Sequence, residues 1–317
     1  MSGGEFSLIA RLVAALPCRR ADVIAGPGDD AALLRAPPGM DLAQTVDSCL
    51  EGVHFPAGLA PGDIGWRCLA VNLSDLAAMG AEPAWGLLSL ALPHADEAWL
   101  DDFAQGVEAL AATTGLDIVG GDMARGPLAV TFALTGFVPP GLALRRAGAR
   151  PGDGIWVTGA LGGGAAGLAA WRRGDAGAAS AFLQPRPCLA EGRALRGLAS
   201  AAIDVSDGLL QDLGHVLAAG GVGAMVELER VPLASAAAAA GAEAGLAMAL
   251  DGGDDYQLCF TVPAERTAEL EAAAAGWPEQ PVRIGLIRAA AGLELCRDGR
   301  PVARPRGGWD HFAAGPR

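Results

Sequence analysis

The chain has 317 residues, a formal net charge of −13 and a hydrophobic fraction of 51%. That length exceeds what one hydrophobic core usually organises, so two domains are expected, and the acidic balance argues against a nucleic-acid partner, whose phosphates need basic patches. All 23 basic side chains other than histidine are arginine, and the absence of lysine excludes a P-loop, the strand lysine of a protein kinase and a Schiff base.

Glu5 to Leu16 reads as an amphipathic helix. The stretch IAGPGDDAALL follows, with Asp29 and Asp30 side by side between apolar runs; adjacent like charges repel, so a positive partner is expected. Leu42 to Val46 reads as a short strand ending at Asp47. Pro61-Gly62-Asp63 opens a long helix to about Gly80, with Pro where its missing N–H costs little. Trp85 to Leu92 is strand-like. Ala95 to Thr114 is a helix with acidic first turns, which suit its dipole. Asp117 to Val119 and Leu128 to Val138 read as strands.

The turn-rich segment RRAGARPGDGIWVTG, Arg145 to Gly159, marks a domain boundary, because the strand–helix series starts again there. It divides the chain into residues 1–147 and 148–317. A glycine run at Gly162 to Gly164 comes next and reads more readily as a structural turn than as a phosphate cradle. Helices near Ala165–Arg173 and Cys188–Leu198, a strand at Ala202–Val205, a helix from Asp207 to Ala219 and a strand at Ala224–Leu228 follow. The Ala-rich run from Ala234 to Leu250 is interrupted by Glu243 and two glycines, so it reads as a surface helix or loop and not a membrane span. Strands and helices mix throughout, the mark of an α/β or α+β class. The start lacks a signal-peptide pattern and the six cysteines have no CxxC spacing, so a cytoplasmic protein with reduced thiols and no zinc site is expected.

Apolar segments repeatedly end in aspartate: Asp30, Asp47, Asp75, Asp122, Asp204, Asp207, Asp254 and Asp255. Asn72 and Asp75 are three apart on one otherwise apolar helix and share a face. A GGD triplet at Gly120–Asp122 comes directly after a strand and has a second copy at Gly252–Asp254; a lone triplet of this kind is an ordinary turn. Singly, each aspartate is as well explained by a solvated face or a local hydrogen bond. Together, short carboxylates beside glycines suggest an inner shell for several Mg²⁺ ions that clamp a polyphosphate, since Mg²⁺ takes oxygen ligands and shares them with phosphates. Asp30 then awaits magnesium, while Asp29 holds the turn.

The ordered set GEFSLIARL, GPGDDAALL, TVDSCLEGVHF, AVNLSDLAAMGAEP, GGDMARG, RAGARPGDGIWVTGALG, DVSDGLLQDL, GGDDYQLCF and GWDHF spans residues 4 to 312 and resembles the thiamine-monophosphate kinase family of the aminoimidazole-ribonucleotide-synthetase-like superfamily. The resemblance implies ATP-dependent phosphorylation of thiamine monophosphate to thiamine diphosphate with Mg²⁺. It implies a two-domain PurM-like α/β fold whose N-terminal sheets pair in a homodimer, with ATP near that interface. By motif match, Asp30, Thr45, Asp47, Asp75, Asp122, Asp204 and Asp207 are metal ligands. Gly121, Asp122, Arg146 and Ser206 contact ATP; His54, Asp254 and Trp309 contact the substrate, Trp309 as a ring-stacking lid.

Three departures stand out. Val46 replaces a hydroxyl residue, so one metal contact is lost or passes to backbone. Asp254 stands where the family has glutamate, one methylene longer. Gln105 stands where an aromatic packs on adenine. The acceptor phosphate is already anionic, so no catalytic base is assigned and transfer is expected to be direct, with metal ions offsetting the repulsion between two anions. The alternatives are another ATP-using enzyme of the superfamily or a non-catalytic MgATP sensor. Cys18, in ALPCRR, does not resemble a selenophosphate synthetase's reactive residue, and the ending FAAGPR lacks the cysteine tail of a hydrogenase-maturation relative.

Overall fold

The computed structural model describes residues 4–303. They form two compact units: residues up to Leu76 with Ala81–Ala143, and Ala77–Gly80 with the chain from Leu144 onward.

In chain order the first unit carries α1 (Glu5–Ala15), β1 (Val23–Ala25), β2 (Leu33–Leu34), β3 (Asp41–Leu50), most of α2 (Pro61–Ala78), β4 (Glu82–Leu92), α3 (Glu97–Thr114), β5 (Asp117–Arg125) and β6 (Ala129–Val138). β1 and β2 make a small antiparallel pair. The other four strands form a sheet in the order β3-β6-β4-β5, with β4 and β5 parallel and the remaining pairs antiparallel. The two longest helices are legible from local chemistry. Asp96 caps α3 by accepting the Trp99 N–H at 3.0 Å, and Gly115 ends it in the left-handed region at φ 73°. Its buried face carries Leu100, Phe103, Val107 and Leu110 at helical spacing. α2 and α3 approach closely because a Cβ on Gly106 would lie 1.9 Å from the Gly62 carbonyl oxygen. Phe103 and Phe132 are fully buried, each stabilising the unit by about 2–3 kcal/mol relative to exposure. α1 is tied to α3 by Arg11, whose guanidinium donates to Asp101 at 2.6 Å and Glu97 at 3.2 Å.

The second unit carries β7 (Gly154–Val157), α4 (Gly163–Arg172), α5 (Ser180–Leu183), α6 (Leu189–Ala194), β8 (Ala201–Asp204), α7 (Leu209–Gly220), β9 (Gly223–Glu227), α8 (Ser235–Ala239), α9 (Ala242–Asp251), β10 (Leu258–Val262), α10 (Thr267–Ala273), β11 (Val282–Arg288), β12 (Gly292–Arg297) and β13 (Arg300–Val302). Seven strands form one sheet in the order β13-β12-β9-β11-β7-β10-β8, antiparallel except for β12 beside β9. The central strands β7 and β10 are buried along their whole length, which explains why they are mostly apolar and do not alternate. α7 lays Leu209, Leu213 and Val216 into the core with Ile155, Ile203 and Ile284.

Several boundaries differ from the sequence reading. β3 does not end at Asp47 but continues to Leu50, because its register with β6 holds through Leu50↔Ala129. β5 does not stop at Val119: the first GGD triplet lies inside it, paired to Leu87, Leu88 and Ser89 of β4. The helix expected over Cys188–Leu198 is short, spanning Leu189–Ala194. The Ala-rich run divides into α8 and α9, separated at Gly241, whose φ is 98°. Among the described residues, no helix is long and apolar enough to cross a membrane.

Candidate active site

In the first unit the carboxylates are placed by the edge strand β3 and by α2. Strand alternation puts Thr45 and Asp47 on one face of β3 and Val46 on the other; Val46 is 63% exposed. A hydroxyl at position 46 would therefore point away from the Thr45 and Asp47 side chains and toward a cavity that Val46 helps to line. α2 presents Asn72 and Asp75 toward Thr45 and Asp47. The Asn72 Oδ1 accepts the Asp47 N–H at 2.9 Å, and its Nδ2 donates to the Cys68 carbonyl at 3.0 Å. This fully buried amide satisfies an edge-strand N–H that the sheet leaves unpaired. The Thr45 hydroxyl donates in a short hydrogen bond to Asp75 Oδ2. Thr45, Asp47, Asn72 and Asp75 thus form one connected group.

A cavity of about 1470 Å³ in the same unit is lined by Asp29, Asp30, Thr45, Gly121 and Asp122, among others. It brings three of the expected metal ligands to one space. Asp47 and Asp75 do not line it. Asp29 Oδ1 accepts the Asp30 N–H at 2.9 Å, so Asp29 braces the turn while Asp30 stays exposed. Gly121 is required by close packing: at φ 155°, a Cβ there would lie 1.8 Å from the Leu88 carbonyl oxygen. The bare backbone leaves Asp122 exposed beside it. His54 follows β3, and its Nδ1 accepts the Leu50 N–H at 3.0 Å, so the neutral ring carries its proton on Nε2. Gln105 is exposed on α3.

In the second unit Asp204 closes β8, 5% exposed. Ser206 and Asp207 lie in the turn before α7. Both of their N–H groups donate at 3.0 Å to one oxygen of Asp212, in the first turn of α7. Burial, reinforced by the neighbouring Asp204 charge, pushes the Asp212 carboxyl up to about 7. The Gln211 amide donates to Asp207 at 3.2 Å. This turn is laced to the second GGD triplet: the Asp254 N–H donates to the Ser206 carbonyl at 2.8 Å, and the Tyr256 N–H to the Val205 carbonyl at 2.9 Å. Asp254 and Tyr256 adopt φ of 60° and 52°, left-handed conformations that cost energy outside glycine. Arg146 is exposed near the start of this unit. Trp309 lies outside the described residues.

The glycine run at 162–164 is a structural turn. The Gly162 and Gly164 N–H groups donate to Asp255 at 2.8 and 3.1 Å. The start of α4, where an external anion could otherwise sit, is thus occupied by an internal carboxylate. Burial pushes the Asp255 carboxyl up to about 7 against the opposing pull of these donors.

The roles that the sequence does not reveal are those of Asn72, as a support for Asp47, and of Asp212, Asp255 and Tyr256. Asn72 has one visible signal, its place on the Asp75 face; Asp255 bonds to glycines distant in the chain, while the Asp212 carboxylate and the Tyr256 phenol bond to near neighbours that only the turn geometry brings within reach. The gathered donors are carboxylate and hydroxyl oxygens, the hard ligands that Mg²⁺ takes. Among the described residues, no three His, Cys, Asp or Glu side chains come together as a self-sufficient metal cage. The donors suit an ion that takes its other ligands from phosphates and water.

Residues 28–138 match the family model for the AIR synthase related protein N-terminal domain, and residues 150–295 match that for the C-terminal domain. The chain is 45% identical over 323 residues to the thiamine-monophosphate kinase of Escherichia coli (strain K12), covering 99% of each. Its fold matches the crystal structure of thiamine-monophosphate kinase from Stenotrophomonas maltophilia K279a with a TM-score of 0.87 at 42% identity, over 95% of this chain and 99% of that one. It also matches AaThiL complexed with AMPPCP and TMP, with a TM-score of 0.77 at 29% identity, over 88% and 89% of the two chains.

Proposed function

The chain belongs to the thiamine-monophosphate kinase family of AIR-synthase-related proteins and phosphorylates thiamine monophosphate with ATP; we propose that it does so by direct in-line transfer, without a phosphoenzyme. A phosphate oxygen of thiamine monophosphate attacks the γ-phosphorus of ATP, the bond to the β-phosphate oxygen breaks, and ADP leaves as thiamine diphosphate forms. The attacking oxygen is already anionic, so no side chain need remove a proton. The difficulty is to hold two anions in line, and positioning with charge neutralisation meets it.

Asp30, Thr45, Asp47, Asp75, Asp122, Asp204 and Asp207 are our candidates to hold Mg²⁺, which when bound neutralises phosphate charge and orients the oxygens it shares. The Thr45–Asp75 hydrogen bond beside Asp47 carries this assignment, because it pairs two oxygen donors on β3 and α2 next to a strand residue whose backbone is held in place. Asn72 keeps β3 in place by accepting the Asp47 N–H. Gly121 and Ser206 present backbone where nucleotide phosphates approach, and Arg146 offers a guanidinium for the same anion. His54, Asp254 and Trp309 contact thiamine monophosphate, with the Asp254 charge facing the cationic thiazolium.

A boundary at 147/148 separates an ATP- and metal-binding domain from one that completes the nucleotide and substrate site. The N-terminal sheets pair in a homodimer; in support, Val46 and Leu87 stand 63% and 46% exposed on strands β3 and β4, and such apolar surface favours association. The cytoplasm is the compartment in keeping with six cysteines in free thiol form.

The direct test incubates the protein with MgATP and thiamine monophosphate and measures thiamine diphosphate by mass. Product that requires both substrates and disappears with chelator is expected. ATP binding without product would leave a nucleotide sensor and overturn the reading.

A further inference from the structure

Tyr256 is the chain's single tyrosine. It is 4% exposed, and its phenol donates a hydrogen bond of 2.9 Å to Asp254 Oδ1. The backbone around this pair leaves little freedom. Asp254 and Tyr256 are both in the left-handed region, and Gly253 precedes them at φ 66°. Two N–H bonds fasten residues 254 and 256 to the turn at 205–206. Between them, the Asp255 carboxylate is committed to the glycine N–H groups that open α4. On the remaining side, a Cβ on Gly164 would lie 2.3 Å from the Asp254 carbonyl oxygen. The main chain of Asp254 is thus fixed on three sides, and what these backbone contacts leave undetermined is the rotamer of its own short side chain.

We propose that Tyr256 is a positioning residue for thiamine monophosphate: its phenol holds the Asp254 carboxylate in the rotamer that meets the substrate's cation. The proposal rests on the reading of Asp254 as a substrate contact. It explains how the shorter carboxylate serves. A side chain with less reach gains most from being held, because each rotamer excluded before binding is entropy not lost during binding. It also explains a strained non-glycine pair beside a buried phenol, since strain persists where the surroundings over-determine it.

The test uses the full chain with three variants: Tyr256→Phe, Asp254→Ala and both together. Tyr256→Phe removes one charge-assisted hydrogen bond and should raise KM for thiamine monophosphate about five- to tenfold, with KM for ATP nearly unchanged. Asp254→Ala should raise KM for thiamine monophosphate at least as far. The double variant should be no worse than Asp254→Ala alone, because the phenol acts only through the carboxylate. A second readout uses the lone tyrosine: labelled with ¹³C at Cζ, the parent gives one signal, which should move when thiamine monophosphate binds and stay still in the Asp254→Ala variant. Equal rises in both KM values, additive losses in the double variant, or a parent signal unmoved at saturating substrate would overturn the proposal. The two possible failures are separable. A silent Asp254→Ala removes the substrate-contact reading and the proposal with it. An impaired Asp254→Ala beside an unimpaired Tyr256→Phe removes the positioning role alone.

Discussion

Asp255→Asn offers a test of the buried carboxylate at the head of α4. The Asp255 carboxyl is pushed from its ordinary 3.8 to about 7, burial being the largest cause, while the N–H groups of Gly162, Gly164 and Gly163 pull the other way. Between about pH 4 and pH 7 the folded protein therefore keeps a proton that the unfolded chain has shed. Stability from this group is full near pH 4 and is lost as pH rises through 7. At 1.36 kcal/mol per pH unit, the change between pH 5 and the plateau above 7 is about 3 kcal/mol. Asparagine keeps the shape and one acceptor but cannot titrate. Urea unfolding of the parent and of Asp255→Asn near pH 5 and near pH 8 measures the difference. The variant should be the less stable at pH 5, and the parent's advantage should shrink by about 3 kcal/mol at pH 8. An advantage that is constant with pH would refute the reasoning. An advantage that grows with pH would show that the three N–H donors outweigh burial.

Asp75→Asn should keep the fold, since the amide oxygen can still accept from Thr45, yet lose most turnover; near-normal activity across a magnesium titration would remove Asp75 from the metal set. Trp309→Ala should raise KM for thiamine monophosphate more than KM for ATP in steady-state assays, and equal rises would argue for simple packing. Cys18 is exposed and the other five cysteines are buried; burial pushes Cys259 up to about 12 and Cys188 up to about 11. A thiol reagent near neutral pH should therefore label one residue on the native protein, by mass count, and none in Cys18→Ser until it is unfolded.

What the sequence by itself determined is what is written locally. The Asp96 cap, the apolar stripe and Gly115 delimit α3 to within two residues of the expected Ala95–Thr114, because caps and helical periodicity act over a single turn. The order of aspartate-bearing segments was enough to point to the family, and the missing lysine to exclude other ways of holding phosphate. The extent of β3 beyond Asp47 and of β5 through the first GGD triplet was not legible, since a strand's length is set by the partner it pairs with. Nor was the employment of the carboxylates. Asp255 looks like a second ligand beside Asp254, yet it caps glycines 93 and 91 residues away; Asn72 looks like a polar lapse on an apolar helix, yet it secures Asp47 25 residues earlier. Only the tertiary structure decides such roles. Burial makes every polar group find a partner, and which partner lies within 3 Å depends on how distant segments pack, not on the residues beside it in the chain.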